Sequence, residues 1–233
     1  MGGFPGPAVW ENVLDIAGGR RVLVDRTASP QYADPIELPG ELTDLTFYPW
    51  PPADLRDLAL GSDVILVCGG STANMLAVWR LHGFDRILRE AWEAGVVLAG
   101  WSAGMICWFE AGVTDSFGPL PGTPGTGPRL SPDASDAPNV RGLSPGKYAM
   151  RDGLGFLPGS ACPHYDGEER RRPVYTELVA NGFPPGIALD DGVAAYYRGT
   201  ELVELLASTP TGRGYHVGPD GEVPLPTRVV TEP

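Results

Sequence analysis

The pentapeptide Gly100-Trp101-Ser102-Ala103-Gly104 constrains this chain more than any other stretch. It follows an apolar run, Gly95-Val96-Val97-Leu98-Ala99, and precedes a helix-like run, Met105-Ile106-Cys107-Trp108-Phe109. A glycine-flanked serine between a strand and a helix is the setting of a nucleophile elbow, a turn sharp enough to lift the hydroxyl to its apex. The helix behind it would aim its first N–H groups at an oxyanion. The plainer alternative is a tight turn in which Ser102 only caps the helix.

The surrounding pattern extends this context. Arg21–Asp25 and Asp63–Cys68 read as buried strands, and Val96–Ala99 as a third that feeds the elbow. A further strand is expected at Leu45–Tyr48. Between them the spacing predicts helices over Val9–Ala17, from Pro52-Ala53-Asp54 through Leu60, over Ala73–Leu81 and over Phe84–Ala94. Strands alternating with helices imply a parallel sheet covered on both faces. Beyond the elbow, strands are expected at Leu154–Leu157, Glu201–Ser208 and Gly214–Val217, and a helix over Arg172–Ala180. Gly186–Asp190 and Val193–Tyr197 read as adjacent strands around an Asp191-Gly192 turn. Residues 118–147 are dominated by Gly, Pro, Ser, Thr and Asp, the composition of an insert or functional loop near the mouth of a site. Residues 1–233 are otherwise expected to form a single domain.

Composition excludes some partners. The net charge of −12 argues against tracking a phosphate backbone and against an anionic membrane surface. Three cysteines, Cys68, Cys107 and Cys162, lack ligand-like spacing and read as reduced and mostly buried, which points to the cytoplasm. No apolar stretch is long enough for a transmembrane helix, and no signal-peptide pattern opens the chain.

An elbow serine needs a base. The chain has three histidines. His82 falls at a helix end and His216 in a C-terminal strand, whereas His164 lies in Ser160-Ala161-Cys162-Pro163-His164-Tyr165-Asp166-Gly167-Glu168, a strand-end loop where a parallel α/β sheet keeps its chemistry. His164 is the expected base. Its acidic partner is either Asp115 or Asp191; residue order alone does not choose between them. For the oxyanion, Ala103 supplies one N–H and the turn Cys68-Gly69-Gly70-Ser71-Thr72 another, with Gly70 the best donor. Neither phosphate-loop fingerprint is present, so a nucleotide site is not expected there.

These motifs in register are similar to a known family. Gly69-Gly70-Ser71-Thr72-Ala73-Asn74-Met75-Leu76, Gly100–Gly104, Gly112-Val113-Thr114-Asp115-Ser116 and Cys162–Glu168 together resemble the peptidase E (aspartyl dipeptidase) family of serine peptidases, relatives of cyanophycinase. The resemblance runs from about Arg21 to about Val217. It implies a three-layer α/β fold, flavodoxin-like and similar to the class I glutamine amidotransferase domain, with a mostly parallel sheet and helices on both faces. It implies Ser102 as nucleophile, His164 as base and Asp191, an aspartate where the family has glutamate, as the third member, with Asp115 the alternative acid. It implies Arg170 as the guanidinium that binds a substrate aspartate. It also implies a first strand and glycine cluster ahead of Met1-Gly2-Gly3-Phe4. The expected substrate is a short peptide, chiefly a dipeptide with N-terminal aspartate, with no metal or cofactor, no nucleic acid and no membrane, and with a homodimer left open. Two rival readings are a cyanophycinase-like hydrolase of β-aspartyl-arginine links and a catalytically impaired binding homologue.

Overall fold

Four short runs in the first hundred residues build one parallel sheet. They are β1 (Arg21–Asp25), β2 (Glu41–Leu45), β3 (Val64–Val67) and β4 (Val97–Gly100), in the order β2-β1-β3-β4. The structure, a computed structural model, describes residues 1–4, 6–30, 36–117 and 148–231. Residues 22–25 of β1 and all of β3 are buried, as strands covered on both faces must be. Helix α1 (Pro7–Ala17) lies on one face, where Trp10 and Leu14 pack with Val22, Val24, Val64 and Leu66. Helices α2 (Leu55–Leu60), α3 (Thr72–His82) and α4 (Phe84–Glu93) lie on the other, with Leu23 and Ile65. That is the three-layer, flavodoxin-like α/β arrangement expected.

The second half is more divided. It runs α5 (Ala103–Ile106), β5 (Phe109–Val113), β6 (Ala149–Met150), β7 (Leu157–Cys162), α6 (Arg171–Ala180), β8 (Gly186–Leu189), β9 (Val193–Arg198), β10 (Glu201–Ala207), β11 (Gly214–Gly218), β12 (Gly221–Leu225) and β13 (Thr227–Val229). Six of these strands form a mixed sheet in the order β12-β11-β8-β7-β5-β6, and β13-β10-β9 form a third sheet. The pairs β5–β7 and β7–β8 are parallel, while β8–β11, β11–β12 and β9–β10 are antiparallel.

Several expectations shift. The strand expected at Leu45–Tyr48 lies earlier, at Glu41–Leu45, because the sheet-edge register aligns Arg21 with Glu41 and Asp25 with Leu45. A half-exposed edge strand carries little apolar signal. The helix-like run after the elbow is divided: α5 ends at Ile106 and β5 begins at Phe109. The strand expected at Leu154–Leu157 starts only at Leu157. The strands on either side of Asp191-Gly192 are not partners, since β8 pairs with β7 and β11 while β9 pairs with β10. The insert at 118–147 lies outside the described residues.

The parallel sheet ends at β4, and the sheet of β9 ends at β9. Met1 sits between them. Its amino group donates to the Gly100 carbonyl at 2.9 Å, and its carbonyl accepts the Ser102 N–H at 3.2 Å. That pattern is a parallel bridge opposite Trp101. The Gly2 N–H donates to the Val193 carbonyl at 2.9 Å. Beyond Met1 the two edges diverge around an apolar cavity of about 410 Å³, lined among others by Val97, Ala99, Trp108, Phe156, Ala195 and Tyr197. Burial lowers the Met1 ammonium pKa to about 5. Among the described residues no helix is long and apolar enough to cross a membrane. The three cysteines are free and buried.

Candidate active site

The elbow has the geometry its sequence calls for. Ser102 sits at φ 55°, ψ −114°, backbone space that a non-glycine residue enters only when its surroundings hold it there. Those surroundings are tight. A Cβ on Gly104 would lie 2.1 Å from the Val67 carbonyl oxygen, and one on Gly100 would lie 2.3 Å from the Gly104 carbonyl oxygen. Only glycines let α5 rest this closely on β3 and β4. The Ser102 side chain makes no capping bond to α5, which removes the plainer alternative for it. Ser71 is the serine that caps a helix, accepting from the Asn74 N–H at the start of α3.

His164 follows β7, and it too has a positive φ, 54°. Its Nδ1 lies 2.6 Å from Asp191 Oδ1. Asp191 follows β8, so parallel pairing of β7 and β8 carries the imidazole and the carboxylate to the same sheet end. The aspartate arm is long enough because glycines clear its path. A Cβ on Gly167 would stand 2.3 Å from Asp191 Oδ2, and one on Gly3 would stand 2.4 Å from Oδ1. The Asp191 N–H donates to Asp166 Oδ1 at 2.9 Å, which fixes the turn. Asp166 was not anticipated as a site residue; its only sequence signal is its place in the polar loop after His164. The neighbouring Asp190 is buried, and burial together with the Asp166 charge pushes its pKa up to about 6. With Asp191 on Nδ1, the imidazole presents Nε2 as its free nitrogen.

Among the described residues no hydrogen bond joins Asp115 to His164. Asp115 is exposed beyond the end of β5, and its charge acts on Arg171. His82 closes α3, with its ring 5.3 Å from that of Phe47, and His216 is exposed on β11.

The glycine turn reaches the elbow. A Cβ on Gly69 would lie 3.2 Å from Ser102 Cβ and 2.9 Å from Trp101 Nε1. Gly70 adopts φ 136°, open to glycine, with the Ala28 carbonyl filling the space a side chain would take. Ala103 opens α5; the Gly104 N–H donates to the Trp101 carbonyl and the Met105 N–H to the Ser102 carbonyl, both at 2.9 Å, which leaves the Ala103 N–H as the one without an acceptor among the described residues. The turn and the helix start therefore flank Ser102 with backbone donors.

The three consecutive arginines separate cleanly. Arg171 is buried, donating from Nη1 to the Val113 carbonyl at 2.7 Å and from Nε to Glu168 at 2.8 Å. Arg172 lies over the rings of Tyr165 and Tyr215, 4.8 and 4.7 Å from their centroids, and donates to Glu222, which also accepts the Tyr165 hydroxyl at 2.6 Å. Arg170 is exposed, with no partner among the described residues.

The chain is similar to known proteins. The model of peptidase family S51 matches residues 36–205. The uncharacterized peptidase YgaJ of Bacillus subtilis (strain 168) is 41% identical over 189 residues, covering 79% of this chain and 70% of that protein. Peptidase E of Shewanella denitrificans is 27% identical over 198 residues, covering 81% of this chain and 70% of that protein. The crystal structure of a peptidase from an acI-B1 Actinobacterium superposes with a TM-score of 0.62 at 15% identity, covering 97% of this chain and 92% of that one. An elbow serine, a histidine bound to a carboxylate and this match over most of the length have one conclusion: the chain is a peptidase and belongs to peptidase family S51.

Proposed function

We propose that the chain is a serine exopeptidase that hydrolyses short peptides, chiefly dipeptides with an N-terminal aspartate, through Ser102, His164 and Asp191. The observation that carries this reading is the 2.6 Å contact of His164 Nδ1 with Asp191 Oδ1. Ser102 Oγ attacks the scissile carbonyl carbon, and His164 Nε2 takes the hydroxyl proton. Asp191 holds the tautomer and stabilises the imidazolium. The Gly70 and Ala103 N–H groups hold the oxyanion. His164 returns the proton to the leaving amine, and water then cleaves the acyl-enzyme with the same base.

Arg170 binds the aspartate side chain in this reading. Its two neighbours are engaged by protein groups, and it is the exposed guanidinium of the three. The net charge of −12 repels an acidic peptide only weakly at a distance, so a local arginine decides binding.

The test uses an Asp-linked chromogenic amide and a β-Asp-Arg dipeptide, with the wild type beside Ser102→Ala. Turnover of the amide alone, abolished by the substitution, is the expected result. Turnover that survives Ser102→Ala overturns the nucleophile assignment, and cleavage of the β-linked dipeptide alone overturns the substrate class.

A further inference from the structure

Asp25 has no part in the chemistry above, yet it is fully buried at the end of β1, beside the turn that flanks Ser102. The donors that reach its carboxylate are neutral: the Thr27 N–H at 2.7 Å, the Thr27 hydroxyl, and Trp79 Nε1 at 2.7 Å. Holding a carboxylate in such surroundings is costly, and here it organises a loop. The Ser29 N–H donates to the Arg26 carbonyl at 2.9 Å, completing a tight turn whose residues Thr27, Ala28 and Ser29 are all buried.

That loop bears on the glycine turn at three places. Ser29 Oγ donates to the Gly69 carbonyl at 2.8 Å. The Ala28 carbonyl accepts the Ser71 N–H at 2.8 Å. The same carbonyl would lie 2.3 Å from a Cβ on Gly70. The Cys68 N–H donates to the Asp25 carbonyl at 2.9 Å, tying the two strand ends together. The Gly69 carbonyl shares its peptide plane with the Gly70 N–H, so the Ser29 bond fixes the direction in which that N–H points.

We propose that the loop Thr27-Ala28-Ser29, pinned by Asp25 and Trp79, is a strut that aims the Gly69-Gly70 turn at Ser102, and that Asp25 and Ser29 are positioning residues for the oxyanion site. The kinetic part rests on the reading of Ser102 as nucleophile; the structural part does not. A misaimed oxyanion donor weakens the transition state more than the ground state, so the strut acts on kcat rather than KM.

The experiment compares wild type, Ser29→Ala, Ser29→Thr and Asp25→Asn by hydrogen exchange at the Ser71 amide and by kinetics on the Asp-linked amide. Ser29→Ala is expected to lower kcat by about fivefold or more with KM within about twofold. It is also expected to speed Ser71 exchange by about tenfold. Ser29→Thr, which keeps the hydroxyl, restores more than half of kcat. Asp25→Asn, whose amide nitrogen or oxygen must mismatch one donor, speeds Ser71 exchange in the same way. Unchanged exchange in both Ser29→Ala and Asp25→Asn overturns the strut. Parallel changes in kcat and KM overturn its positioning role. A wild type that cleaves no peptide overturns the reading of Ser102 instead, and the Ser71 exchange then decides the strut on its own.

Discussion

At the residue scale, the site turns on which carboxylate holds His164. Asp191 reaches Nδ1 at 2.6 Å, whereas Asp115 is exposed beyond β5. Asp191→Asn is therefore expected to lower kcat by roughly 1,000-fold or more, because an amide permits the wrong tautomer and cannot stabilise the imidazolium. Asp115→Ala should stay within about tenfold of wild type. Steady-state kinetics on both variants decides between them, and a larger loss from Asp115→Ala sinks the assignment. Asp25 sets a second residue-scale expectation, this time for stability. Burial raises its pKa from 3.8 to about 6 in the fold. Below pH 4 both folded and unfolded chains hold its proton, so no penalty exists. As pH rises toward 6 the unfolded chain ionises first, and the fold loses stability from this group, up to roughly 2–3 kcal/mol above pH 6. The nearby thiols do not titrate in that window, since burial pushes Cys68 to about 12 and Cys107 well above its ordinary value. Urea unfolding at pH 4 through 7 should show wild type losing this much stability relative to Asp25→Asn. A constant difference between the two would remove Asp25 as the titrating group.

At the scale of elements, legibility followed burial and chemistry unevenly. Strands β1 and β3 stand out because both faces are covered and their centres, Val22–Val24 and Val64–Val67, are wholly apolar. The edge strand β2, with only Leu45 buried, leaves no such trace and was expected four residues too late. The run after Ser102 looks helical because Met105, Ile106, Cys107, Trp108 and Phe109 are all buried, and burial on every side erases the difference between a helix and a strand. Its true division comes from tertiary pairing: Phe109 lies opposite Leu157, and Gly112 opposite Ala161. Ser102, His164 and the glycine turn were legible because each sits at a strand end with a distinctive chemical neighbourhood. The choice of Asp191 came from the family resemblance and not from the residues alone, since it depends on β7 and β8 running side by side and on Gly3 and Gly167 leaving room for the carboxylate. Arg171 and Arg172 were indistinguishable from Arg170 in sequence. Besides the local Glu168 and Tyr165, the partners that separate them come from β5 and from Glu222, 58 and 50 residues away.

At the scale of the whole molecule, the question is how the parallel sheet joins the rest. β4 and β9 offer facing edges, and Met1 bridges them at one end, bonded to Gly100 and Ser102 while Gly2 bonds Val193. Continued backward from Met1, a strand would run parallel to β4 and antiparallel to β9, turning two sheets into one. The space for it is the apolar cavity of about 410 Å³ along Val97–Gly100. A variant carrying four added apolar, β-branched residues ahead of Met1 should therefore melt higher by about 5 °C or more than one carrying four added residues of alternating aspartate and serine. The carbonyl that holds the Ser102 N–H belongs to Met1, so the same extension should tighten the elbow as well as the sheet. Thermal unfolding of the two extended chains measures this. Equal melting temperatures would mean that the facing edges are not a strand site and that packing across the cavity, rather than continuous pairing, holds the two halves together.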